Sequence, residues 1–162
     1  MALLFNFGGA EPEFERLFFE PRPVEMPAEA VEEVVADLPS GLITPELTRE
    51  IIGALYSVHT VLGPGFIHRV YANACYHEMK LRQLPVQALK EMKVVYRGQP
   101  LAGIKFAHLR LGDQALVFPV AVTDINAISF KNIKDWLRVE QVPLGIIANF
   151  HALSFKPLIL KA

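Results

Sequence analysis

One cysteine, Cys75, stands in 162 residues. A lone thiol excludes an intrachain disulfide and agrees with a reducing compartment, so a cytoplasmic location is the expectation. Its position inside a helical apolar pattern reads as a small buried residue rather than a nucleophile. No apolar run approaches the roughly 18–20 residues that a membrane span needs. The first nine residues hold an apolar cluster without a basic flank, which argues against a secretory signal. The chain also lacks a P-loop, a GxGxxG turn, a Ser-nucleophile elbow and a Cys-rich zinc motif. Its aromatics form no stacking motif of the kind an RNA-recognition module shows, so they read as core or interface.

Apolar residues are abundant instead. They make up 52% of the chain, and the mean hydropathy is +0.29. That is high for a small monomer and implies apolar surface, hence a partner or a self-interface. The net charge of −1 conceals a division. Residues 1–41 carry nine acids against two bases, a net of −7, while residues 42–162 carry eight acids against fourteen bases, a net of +6. An acidic arm beside a basic body suits docking within the molecule or between subunits. The basic excess also permits nucleic-acid contact, although its Lys and Arg are scattered.

Residues 1–41 read as an acidic, Pro-rich arm, and residues 42–162 as the folded domain. Proline at 12, 21, 23, 27 and 39 interrupts any long element in the arm. Two short helices are predicted there, over residues 13–19 and 28–38, the second with Val31, Val34, Val35 and Leu38 at helical spacing. Phe5, Phe7, Phe14, Phe18 and Phe19 are many aromatics for a disordered tail, so the arm is expected to dock on its own body or on a neighbour.

Residues 44–62 carry the clearest helix signals. Thr44 is a natural N-cap, Pro45 fits the first helical position and Glu46 suits the positive end of the helix. Leu47, Ile51, Leu55, Val58 and Leu62 form one apolar stripe, and Gly63-Pro64 ends it. A second helix is predicted from Gly65-Phe66 to about Gln83, with Ile67, Val70, Tyr71, Ala74, Cys75 and Met79 inward. Strands are expected over 86–96, 101–111 and 114–122, with turns at Arg97-Gly98 and Gly112-Asp113. Pro119 cannot donate to a ladder, so its strand should be bulged or free on one side there. Residues 124–139 read as a helix burying Ile125, Ile128, Ile133, Trp136 and Leu137. Residues 144–150 form a continuously apolar strand of the doubly buried kind, and 155–160 a last short strand. The order α-α-β-β-β-α-β-β predicts an α/β fold with a mixed sheet and helices on its faces.

Within this order, His59-Thr60-Val61-Leu62-Gly63-Pro64-Gly65-Phe66-Ile67-His68-Arg69-Val70-Tyr71 resembles the signature of the GxxExxY proteins. Leu144-Gly145-Ile146-Ile147-Ala148-Asn149-Phe150 resembles their LGLLINF strand. Those proteins belong to the PD-(D/E)xK restriction-endonuclease-like superfamily, and the resemblance spans about residues 44–160. It implies a restriction-endonuclease-like α/β/α core with a mixed central sheet. It also implies a Mg²⁺-dependent nuclease site on the hairpin around Gly112-Asp113. The departures fall on that site. The glutamate of the GxxE motif corresponds to His68, and the first hairpin acid to His108. Phe118 and Val120 stand where the second acid and the lysine would be. Asn132 replaces the helix glutamine, and Trp136 the tyrosine four residues after it.

Magnesium prefers hard oxygen ligands, and a lysine would polarise the attacking water or the scissile phosphate. Phe118 and Val120 supply neither. Strand alternation groups His108 with Phe106 and Arg110, and Phe118 and Val120 with Leu116. The expectation is an apolar former pocket, no cofactor, and a catalytically inactive nuclease fold serving as a structural or protein-interaction subunit. Its partner, another protein or a second copy, would be reached through residues 1–41. The alternative is a nucleic-acid-binding module that kept the groove and lost cleavage. For it, Lys131, Lys134 and Arg138 share a helix side and, with Arg110, form a candidate phosphate face; the competing reading is an ordinary solvated face.

Three imidazoles, His59, His68 and His108, are a candidate Zn²⁺ set if they converge. Otherwise His59 caps or hydrogen-bonds and the other two fill space. Asp124 reads as a helix N-cap and Asp135 as a solvated helix position, rather than as migrated catalytic acids.

Overall fold

The computed structural model describes residues 24–36, 38, 41, 43–89, 95–100 and 108–162. The expected helix over 13–19 and the phenylalanines before it, the middle of the 86–96 strand, and residues 101–107 with Phe106 lie outside them.

Helix α1, Ala28–Ala36, precedes the body. Helix α2, Pro45–Leu62, starts where its capping residues dictate: Thr44 Oγ accepts the Leu47 N–H at 3.4 Å. Such a cap contributes about 1 kcal/mol. Gly63, at φ +64°, ends the helix in a conformation that side-chain-bearing residues adopt at a cost. Helix α3 runs His68–Leu81, three residues later than the sequence suggests. The delay has a tertiary cause. The Tyr71 hydroxyl donates to Gly63 O at 2.7 Å and accepts the Phe66 N–H at 3.1 Å, holding residues 63–66 outside the helix. Ile67 and Val70, expected inward, are consequently exposed, while Tyr71, Ala72, Cys75 and Met79 are buried.

Strand β1, Val86–Leu89, is followed by the small hairpin of β2, Val95–Tyr96, and β3, Gln99–Pro100, around Arg97-Gly98. Strands β4, His108–Leu111, and β5, Ala115–Val120, flank the turn at Gly112. The expected helix over 124–139 is divided. A 3₁₀ turn, Ile125–Ala127, is capped by Asp124, and helix α4, Phe130–Val139, is capped by Ser129. Strands β6, Leu144–Asn149, and β7, Leu158–Lys161, complete the chain.

The sheet is mixed, in the order β1-β4-β5-β6-β7. β1, β4 and β5 pair antiparallel, β5 and β6 parallel, and β6 and β7 antiparallel. Pro119 falls beyond Val117, where the described β4 ladder ends, and keeps its register with Ala148 of β6.

Period-two alternation divides the sheet residues between two cores. Leu109, Leu111, Ala115, Val117, Leu144, Ile146 and Ala148 face α2 and α3. Leu116, Phe118, Val120 and Ile147 face α4, where Ile133, Trp136 and Leu137 meet them. Each fully buried Leu, Ile or Phe contributes roughly 1.5–3 kcal/mol of transfer free energy. Gly145 lets α4 approach: a Cβ there would lie 3.1 Å from a Leu137 methyl. The result is an α/β/α sandwich whose α4 face carries the hairpin positions singled out above.

Residues 24–36 lie against α2. Val24 O accepts from Ser57 Oγ at 2.9 Å, and Arg49 pairs with Glu32 at 2.8 Å. Met26 and Val34 pack on the α2–α3 core.

Candidate functional site

His108 opens β4, and Phe118 lies in β5. The register pairs Leu109 with Val117, so the next step along the ladder brings His108 opposite Phe118. Their rings stack, with centroids 5.6 Å apart and planes 16° from parallel. Trp136 reaches the same point from α4, its ring edge-on to the imidazole at 86°. Its indole Nε1–H donates to His108 Nε2 at 3.2 Å. All three side chains are buried, with His108 only 1% exposed. Val120 belongs to the same core.

The donor chemistry of this cluster does not suit a divalent cation. Phe118 and Val120 have no lone pair to offer. An indole N–H facing Nε2 requires the imidazole lone pair there, which the neutral ring supplies with its proton on Nδ1. That lone pair is then committed to Trp136, and Nδ1 is a donor. Nε2 is therefore taken up by the indole, and the described side chains of this cluster contribute no carboxylate oxygen.

The remaining candidates lie elsewhere. Asn132 is exposed on the first turn of α4, its backbone N–H donating to Ser129 Oγ at 3.3 Å. His68 is exposed at the start of α3. His59 lies on the opposite face of the sheet from His108. Its Nε2–H donates to Ala152 O at 2.7 Å, and its ring lies 5.5 Å from Phe155 and 6.1 Å from Phe150. The three histidines therefore do not converge. Among the described residues no three His, Cys, Asp or Glu side chains gather closely enough to hold a metal ion.

The basic helix face is partly neutralised, two of its cations sharing one carboxylate. Asp135 accepts from Lys131 Nζ at 2.6 Å and from Arg138 Nη1 at 3.0 Å. These two cations, the Lys131 hydrogen bond first, hold the Asp135 carboxyl below the usual carboxylate range. Lys134 is half-buried. Arg110 is a structural clamp rather than a free cation. It bonds Glu140 at 3.0 Å, Asp113 at 2.8 Å and Gly112 O at 2.9 Å, tying the hairpin turn to the end of α4. Asp124 is spent on its cap, accepting from the Asn126 backbone N–H at 2.9 Å. Cys75 is fully buried, and burial, then the Glu78 carboxylate, pushes its thiol far up, so it stays protonated and unreactive.

Layer order, mixed sheet and the parallel β5–α4–β6 unit define the class as a restriction-endonuclease-like α/β protein. The profile of the PD-(D/E)XK nuclease superfamily matches residues 45–160, and the chain belongs to that superfamily. No curated protein and no solved structure matches it. Among the described residues, no helix is long and apolar enough to cross a membrane.

The cluster was accessible to sequence reasoning residue by residue but not as a unit. The substitutions at 108, 118 and 136 are visible individually. That Trp136 satisfies His108 is not, because the pair is 28 residues apart and joined only by the packing of α4 on the sheet.

Proposed function

We propose that this chain is a catalytically inactive member of its superfamily, related to the GxxExxY proteins, and that it serves as a structural or protein-interaction subunit. One observation carries the reading: the side chains at the positions corresponding to the hairpin acids and the helix tyrosine form a closed aromatic cluster, His108–Phe118–Trp136. Filling such a pocket with rings avoids the cost of burying unpaired charge once a metal is gone. The opposite charges of the arm over residues 1–41 and the body over residues 42–162 support an assembly role, with a partner protein or a second copy reached through the arm. Val61, Phe66 and Ile67 add exposed apolar surface at the α2–α3 junction.

The nucleic-acid alternative has less support. Two of its three helix cations, Lys131 and Arg138, already share Asp135.

The test is an untagged full-length protein assayed on single- and double-stranded DNA and on RNA, with Mg²⁺ and with Mn²⁺. The expected result is no cleavage above a chelator-treated control. Metal-dependent cleavage that co-elutes with the folded chain and survives repurification would overturn the reading.

A further inference from the structure

The last strand of the sheet ends in a self-complementary edge. β7 lies at one side of the sheet, and among the described residues no strand pairs with its outer edge. The ladder phase follows from the Ala162 N–H, which donates to Pro143 O at 3.0 Å in the register that pairs Leu144 with Lys161. In an antiparallel ladder, bonded and non-bonded pairs alternate. Ala162 and Leu160 therefore turn their backbone groups toward β6, and Ile159 and Lys161 turn theirs outward.

Beside this edge is a cavity of about 550 Å³. Met26, Ala30 and Val34 from the α1 side, with Pro157 and Ile159, give it an apolar lining, and Glu33 and Lys156 are on its rim. Glu29 and Glu33 on α1, and Lys156 and Lys161 on the strand side, are exposed.

We propose that β7 pairs antiparallel with β7 of a second copy, about a twofold axis at Leu160, to give one continuous sheet. The pairing brings Ile159 opposite the second copy's lysine at position 161, in both directions. The outward N–H and C=O groups of both residues then meet as bonded pairs, with no register slip required. Side chains directly opposite share a face. Ile159 packs on the α2–α3 side, so that lysine ammonium projects toward the rim where Glu33 stands. On the other face Leu158, 37% exposed, and Leu160 extend the α4-side core across the seam. A closed twofold contact also caps this edge, which no strand among the described residues pairs with. The inference deepens the assembly reading by naming its geometry. It fails independently of the cleavage assay, because pairing through β7 needs nothing from the hairpin cluster.

Sedimentation velocity and light scattering on the full-length chain over a concentration series provide the test. A reversible dimer is expected. Lys161→Pro removes an outward N–H and leaves the β6–β7 bonds in place, and proline is tolerated on such an edge. It should weaken self-association roughly tenfold or more while circular dichroism stays unchanged. Lys161→Glu should weaken the dimer as well, and adding Glu33→Lys should restore it; this charge swap tests the contact without touching the backbone. A strictly monomeric wild-type chain overturns the proposal. So does a dimer that neither Lys161 variant weakens, since its interface would then lie elsewhere.

Discussion

The indole N–H of Trp136 and Nε2 of His108 meet at 3.2 Å beneath α4. The bond satisfies a buried imidazole and anchors the helix to the hairpin. Trp136→Phe keeps a ring but removes the donor. The lost bond and the smaller ring together should cost about 1–3 kcal/mol, which for a chain of this length lowers Tm by roughly 2–12 °C. Urea denaturation should show a lower midpoint at unchanged slope. An unaltered midpoint would mean that the bond contributes nothing to stability.

Restoring a single acid should not restore chemistry. Phe118 is fully buried between the His108 ring and the residues of α4. Phe118→Glu places a carboxyl there without a cation, and burial disfavours its charged form. The expected outcome is a loss of about 3 kcal/mol or more, with stability falling further as rising pH ionises the group. Denaturant midpoints at acidic and neutral pH measure both effects. A well-folded variant that binds Mg²⁺ in a calorimetric titration would show that the pocket is still a metal site.

Gly53 of α2 lies close against Arg82, the residue that caps the end of α3. A Cβ at 53 would lie 2.9 Å from Arg82 Nη1. The guanidinium is held by Glu78 at 2.9 Å, Ser57 at 3.1 Å and Glu50 at 3.4 Å. Glycine inside a helix costs about 1 kcal/mol relative to alanine. Gly53→Ala alone should nevertheless give no gain, because it displaces the arginine from Ser57, which in turn holds Val24. In an Arg82→Ala background the same substitution should stabilise by about 1 kcal/mol. A double-mutant cycle on urea midpoints reads this difference. Equal effects in both backgrounds would remove the coupling.

Where local chemistry decides, the sequence was readable. Thr44-Pro45 and the stripe through Ile51, Leu55 and Val58 mark α2 to the residue, and the unbroken apolar run through Ile146 and Ile147 announces a strand covered on both faces. Where a distant group decides, it was not. The start of α3 depends on the Tyr71 hydroxyl reaching back to Gly63. The hairpin substitutions could be read singly, but not the mutual satisfaction of His108 and Trp136. The helix cations looked like a shared basic face, because spacing shows which side a residue occupies and not which neighbour claims its charge.

Asp135 allows that last point to be tested. Its carboxyl is held low by hydrogen bonds from Lys131 and Arg138, so these contacts stabilise the fold only while it is ionised. For a carboxylate with a depressed folded value, the contribution is complete above the unfolded value. It disappears as pH falls through the folded one. The Asp135 side chain is 45% exposed, so salt should weaken these contacts. A carbon-detected NMR titration should place the Asp135 midpoint below that of an unpaired aspartate, and Lys131→Met should move it upward. Asp135→Asn then leaves Lys131 and Arg138 uncompensated on α4. If this face merely meets solvent, the variant should bind polyanions no better than a charge-matched change such as Glu46→Gln. A selective, salt-sensitive gain in DNA or RNA affinity would instead mean that Asp135 masks a phosphate-binding surface, and the nucleic-acid reading would gain the support it lacks.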